Sequence, residues 1–135
     1  MPAIAKDLDA ISRFVAPAYV AMNVTAVCAR RDAAFLSLTS GARGNALHYA
    51  EHVKNEAIES LTQEEAVAAL TAAADAARDA ALHVFRQFNS NDPAIESERI
   101  KAWCEADGRN HVRDFIRDHD EHHQALLSQL RASQR

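Results

Sequence analysis

The residues of this chain with the most chemistry to offer are its seven histidines, four of which (His111, His119, His122 and His123) fall within thirteen consecutive positions. His119 and His123 stand four apart, so on a helix their rings rise from successive turns of one face and can reach a single divalent cation. His48 and His52 repeat the spacing upstream, with Glu51 and Glu56 as neighbouring carboxylates. Imidazole nitrogen is a borderline ligand that suits Zn, Ni, Fe or Cu, so the pattern points to a transition metal without selecting one.

Helical phase sorts these candidates. Val112, Phe115, Ile116, Leu126, Leu127 and Leu130 define the apolar face of the last helical stretch. At about 100° per residue, His119 and His123 each lie within about 20° of the centre of that face, whereas His111 and His122 fall roughly 80–100° from it. Two imidazoles in an apolar stripe carry a desolvation cost that a bound cation offsets. The plainer reading, a core-facing histidine satisfied by one hydrogen bond, stands beside the metal reading. A metal site also needs a third protein ligand. His48 and His52 are equal candidates, and His83 ranks behind them because it lies about 140° from the apolar centre of its own helix. Asp118, Asp120 and Glu121, off the centre of the stripe, are candidates to fix ring tautomers from behind.

The elements that must position these side chains read as helices throughout. Ile4, Leu8, Ile11, Val15, Tyr19, Met22 and Ala26 keep the three-four alternation of one helix face. Pro17, on the opposite side, predicts a solvent-side kink in one long helix, with a break into two pieces as the alternative. This helix is expected to fade near Ser37 to Gly44. A second helix follows from about Asn45 to Ser60, its stripe divided between Leu47, Ile58 and Leu61 on one side and Tyr49 and Val53 on another. Thr62 and Glu65 have the spacing of a capping box. They open a third helix with Val67, Leu70, Ala74, Ala77, Ala81, Val84, Phe85 and Phe88 as its face. Asn89 to Pro93 is a loop that supplies Asp92 as N-cap and Pro93 as first residue of a fourth helix, which runs to about Ala106. Asp107-Gly108-Arg109-Asn110 reads as a glycine stop and a new N-cap before a last helix from His111 to Ala132. The expected fold is all-α: one helical-bundle domain over residues 1–135, an antiparallel four-helix bundle with an additional short helix before the last one.

Composition agrees and excludes several functions. Alanine supplies 29 of 135 residues against three glycines and three prolines, which favours helix. The net charge of −4 leaves no basic footprint for nucleic acid. Lys6, Asp7, Asp9 and Arg13 interrupt the apolar residues at the start, unlike a signal peptide. Phe14 to Cys28 reads as too short and too polar to cross a bilayer. Two cysteines are too few for a disulfide scaffold, so a soluble cytoplasmic chain is expected, with Cys104 as a small buried residue. Glycine-rich phosphate loops, GxSxG and CxxC are missing. The first helix has no ligand type at the centre of its stripe, which favours a mononuclear centre over a carboxylate-rich di-iron one.

A histidine on the second helix of a four-helix bundle, followed late in the chain by His119-Asp120-Glu121-His122-His123, Gln124 and the leucines Leu126, Leu127 and Leu130, resembles the DinB family. The resemblance implies a bundle that holds a divalent metal through three histidines. His119 and His123 match the late pair, and His48 or His52 the early position. It also implies kinship with thiol-dependent transferases and isomerases. The expected cofactor is thus a divalent metal (Zn, Ni or Fe), and the expected activity a metal-dependent hydrolysis or thiol-dependent transfer on a small-molecule substrate, with the metal as Lewis acid or activator of water. Glu51 or Glu56 is a candidate base. The competing expectation is a non-enzymatic helical interaction or stress protein, a homodimer through the alanine-rich third helix, whose histidines fill the core. Neither reading calls for nucleic acid or membrane as a partner.

Overall fold

A computed structural model describes residues 8–41, 44–59 and 61–133. Ile4 and Ser60, which periodicity places in helices, lie outside the described residues, as do the side chains of His122 and Leu130. Among the described residues the chain is all-α, with no strand. The helices are α1 (Leu8–Cys28), α2 (Ala34–Thr39), α3 (Ala46–Ile58), α4 (Gln63–Arg86), α5 (Pro93–Trp103), α6 (Arg109–Arg117) and α7 (His119–Ser133), with a π-helical turn, Cys104–Gly108, between α5 and α6.

The axis of the fold is α1: α3 and α4 lie along it, and α6 and α7 also pack on it. Because neighbours approach from several sides, its buried residues, among them Ile11, Phe14, Val15, Ala18, Ala21 and Val24, cover a wider arc than one stripe. The helix runs unbroken through Pro17, which is half-buried rather than on the solvent side. Over its most apolar window the mean hydropathy is 1.3, and half of that window is buried in the fold, as in a core helix. By length and composition alone α1 as a whole, longer than the Phe14 to Cys28 stretch, is also long and apolar enough to cross a bilayer. The helix ends at Cys28 instead of fading near Gly44. A turn follows, in which the Asp32 carboxylate accepts from the Ala34 amide at 3.1 Å and α2 begins.

Alanine determines how α3 and α4 approach α1. The buried face of α3 is Ala46, Ala50, Val53 and Ala57, a regular three-four stripe of small residues, while Leu47 is 44% exposed. On α4 the buried face is Ala69, Ala73 and Ala77, and Val67, expected inside, is 59% exposed. Small side chains let helix backbones come close, so alanines win the interior positions over larger residues that the hydrophobic average favours. The local start signals hold. Asn45, read as the start of its helix, is its N-cap and accepts from the His48 amide at 2.9 Å. Thr62 and Glu65 form both bonds of the capping box, at 2.9 and 3.2 Å. Asp92 caps α5, with Pro93 as its first residue.

Two clusters make up the core. Around the middle of α1, Ile11, Phe14, Val15 and Ala18 pack with Ala50, Val53, Ala57, Ala69 and Ala73. Toward its end, Val24 and Cys28 pack with Phe35, Ala46, Cys104 and Val112. In the second cluster Cys28 and Cys104 form a disulfide across a sequence separation of 76, with Cα atoms 5.4 Å apart. This corrects the reading of Cys104 as an unpaired core residue. Gly108 is no glycine stop either: its φ is −62°, and the chain continues through the π-helical turn into α6. Space favours glycine there, because an added Cβ would meet the Trp103 ring at 3.1 Å and the Cys28 sulfur at 3.2 Å. The Arg109 guanidinium then grips the buried Asp32 carboxylate with Nε on Oδ2 and Nη2 on Oδ1, the latter at 2.5 Å. The expected continuous last helix is divided at Asp118, where φ −92° and ψ 5° separate α6 from α7.

Candidate metal centre

The histidines of interest meet where α3 and α7 face each other beside the middle of α1. His119 opens α7 and His123 follows one turn later. Their rings are stacked at a centroid separation of 5.2 Å with an 8° interplanar angle. Both residues are buried, as their phase on the apolar face predicts. From α3 the ring of His52 comes within 5.3 Å of His123 and 6.0 Å of His119, centroid to centroid. One donor atom from each of His52, His119 and His123 lies within 4.8 Å of the other two. This is the spread that three ligands of one ion need before closing to their bonding distances of about 2.0–2.1 Å.

Of the two candidates for the early ligand, the structure brings in His52 and leaves His48 out. His48 is exposed, its ring 6.2 Å from Tyr49 and outside the donor group. His83 and His111 are also exposed and outside it. The helical register explains the choice. With Ala46, Ala50, Val53 and Ala57 against α1, the flank carrying Tyr49, His52 and Glu56 turns toward α7. The divided stripe of large residues could not orient this helix, because the positions that are in fact buried are mostly alanines and Leu47 is exposed.

Two further residues join the cluster: Glu56, which the sequence offered as an equal of Glu51, and Tyr49, which it offered only as a stripe residue. Glu56 bonds both helices: its Oε2 meets His123 Nε2, and its Oε1 lies 3.2 Å from His52 Nε2. Among the glutamates of α3, the four-residue spacing from His52 was the available signal, since it puts Glu56 one turn along the same flank. Glu51 faces elsewhere and pairs with Lys54 at 2.6 Å. Tyr49 lays its ring 4.1 Å from that of His119. Phe14 of α1 and Phe115 of α6 stand 6.3 Å from His123 and 6.2 Å from His119 respectively.

Electrostatics favour the ligand form of these side chains. Burial, reinforced by the neighbouring His123 ring, holds His119 below the ordinary imidazole pKa, so it is neutral with a free lone pair at pH 7. A carboxylate beside three imidazoles gives a mixed nitrogen and oxygen donor set, which suits Zn, Ni or Fe. Access is one-sided: the His52 side chain is 49% exposed and that of His123 only 7%. A cation would therefore be gripped from the protein side by α7 and approached from solvent past His52. No protein-family model, curated protein or solved structure matches this chain.

Proposed function

We propose that this chain is a divalent-metal protein with a mononuclear centre held by His52, His119 and His123 and completed by Glu56, serving a metal-dependent hydrolysis or thiol transfer on a small molecule. The observation that carries the reading is the convergence of three imidazole donors from two helices, within 4.8 Å of one another, with His52 standing 67 positions before His119 in the sequence. The resemblance to the DinB family in the His119 to His123 segment supports the same ligand set, and the packing of α3, α4 and α6–α7 around α1 is compatible with its bundle. When bound, a divalent ion here supplies Lewis acidity toward a carbonyl, thiol or water that reaches the exposed side.

The protein's own groups have distinct parts in this reading. His119 and His123 present their rings without rearrangement, because Tyr49, Phe14 and Phe115 pack around them. Glu56 holds His52 and His123 together through its two oxygens and, 29% exposed, is placed to accept a proton at the solvent side. The disulfide favours an oxidising compartment over the cytoplasm expected from the cysteine count.

One observation favours the competing reading, a helical interaction protein without metal: Glu56 already satisfies ring nitrogens of His52 and His123. Elemental analysis of untagged protein separates the two. Near-stoichiometric Zn, Ni or Fe that disappears in a His119→Ala, His123→Ala double variant supports the metal centre. A metal-free protein whose melting temperature ignores both EDTA and added divalent ions overturns it.

A further inference from the structure

A second concavity lies on the other side of Phe115, between α1, α4 and α6, with a volume of about 580 Å³. That is within the range of roughly 300–1,000 Å³ typical of small-molecule sites. Its walls are apolar: Pro17 and Val20 from α1, Ala76 and Ala80 from α4, and the face of Phe115 from α6. The cleft exists because α4 presents alanines where larger side chains would fill the space, and because Pro17 puts a compact ring on α1 instead of a long side chain.

Three charged residues line the cleft, Arg13, Asp114 and Asp118. Asp114 and Asp118 line one edge, but both carboxylates are engaged by Arg117, at 3.2 Å from Asp114 and at 2.8 and 2.9 Å from Asp118. Arg13 also lines the cleft and makes no hydrogen bond or ion pair among the described residues. The His111 ring, also at the rim, offers a further N–H donor. An apolar trough with one uncommitted guanidinium at its lip is complementary to an apolar body that ends in a carboxylate.

We propose that this cleft binds a small amphipathic monocarboxylate, its hydrocarbon part against Pro17, Val20 and Phe115 and its carboxylate on Arg13. The proposal needs no cation in the histidine cluster and stands apart from the metal reading. Decanoate below its micelle-forming concentration is a suitable probe, titrated into the full-length chain by calorimetry in the presence of EDTA. One-to-one binding is expected. It should weaken at least tenfold in Arg13→Gln and at least tenfold when decan-1-ol replaces decanoate. Ala80 is exposed at the cleft, so Ala80→Phe should fill the trough and abolish binding while circular dichroism shows an unchanged fold. Three results would overturn the proposal: no saturable binding to the wild-type chain, equal affinity for decanoate and decylammonium, or undiminished binding by both variants.

Discussion

The two ends of α1 are secured by different means. Around Cys28 the chain is locked by a disulfide to Cys104, a two-pronged ion pair from Arg109 to the buried Asp32, and a glycine whose absent side chain makes room for Trp103 and the disulfide. Around Phe14, about 21 Å away at 1.5 Å per residue, nothing is covalent: His52, His119 and His123 are held by aromatic contacts and by the Glu56 carboxylate. The first end restricts the unfolded chain and fixes the order of the helices. The second keeps two buried imidazoles, His119 and His123, beside the half-exposed His52 and Glu56, an arrangement that stability alone does not favour but a bound ion would reward. The difference teaches that a small alanine-rich core can carry a polar cluster when its topology is pinned elsewhere.

The largest expected effect tests that division. Replacing Cys28 and Cys104 by serine opens a loop of 76 residues in separation and should lower stability by about 4 kcal/mol on the chain-entropy estimate, read from denaturant unfolding of oxidised wild type and variant. If the ends are separable, the folded variant still takes up metal at low temperature with unchanged stoichiometry. Loss of uptake in protein that is still folded would show the lock to be part of the site. Next in size is the histidine end itself. His123→Ala should weaken metal binding by on the order of a hundredfold or more, since it removes a buried donor. Glu56→Gln should cost about ten- to a hundredfold, since it replaces the carboxylate that completes the site and holds His52 and His123 together. Competition titration against a chromophoric chelator measures both.

Acid distinguishes the two ends at smaller amplitude. His119 has its pKa lowered in the fold, mainly by burial, and Asp32 has its own lowered, mainly by the Arg109 hydrogen bond. A lowered folded pKa gives stability that is fully present above the unfolded value and is lost as pH falls toward the folded one. The metal-free protein should therefore lose melting temperature in two steps, the first below about pH 6.5 from the histidine end and the second below about pH 4 from Asp32. His119→Gln should shrink the upper step, leaving the part that comes from His111, whose pKa desolvation also lowers, and Asp32→Asn should remove the lower. A single step, or steps that both vanish in one variant, would show that the ends unfold as one electrostatic unit.

How much of this was legible in sequence depended on whether the signal was local and on which residues filled the interior. Caps and turn residues were readable where Thr62, Glu65, Asp92 and Pro93 act within a few positions of themselves. The inward phase of His119 and His123 was readable because large apolar residues set the stripe around them. The disulfide was not, since two cysteines 76 apart carry no pairing signal of their own. Nor was the steric role of Gly108, which depends on Trp103 and Cys28 arriving from elsewhere. The break at Asp118 and the rotation of α3 and α4 onto their alanines escaped for the same reason: tertiary fit overrode the local average.

The choice between His48 and His52 is the smallest of the predicted effects and the most direct check on that rotation. The two histidines are one turn apart, of equal chemistry, and were inseparable by pattern. In the fold His52 lies within reach of His119 and His123, whereas His48 is exposed beside Tyr49. His48→Ala should leave metal affinity within about twofold of wild type and stability within about 0.5 kcal/mol, as for a surface substitution away from caps and core. Its amide, not its ring, bonds Asn45, so the N-cap survives the change. His52→Ala should weaken metal binding by at least tenfold with equally little effect on the metal-free melt, because its half-exposed ring contributes little packing. If the two variants exchange these behaviours, α3 is rotated relative to the alanine-packed register. Glu56 would then leave the site with His52, since the same turn of helix carries both.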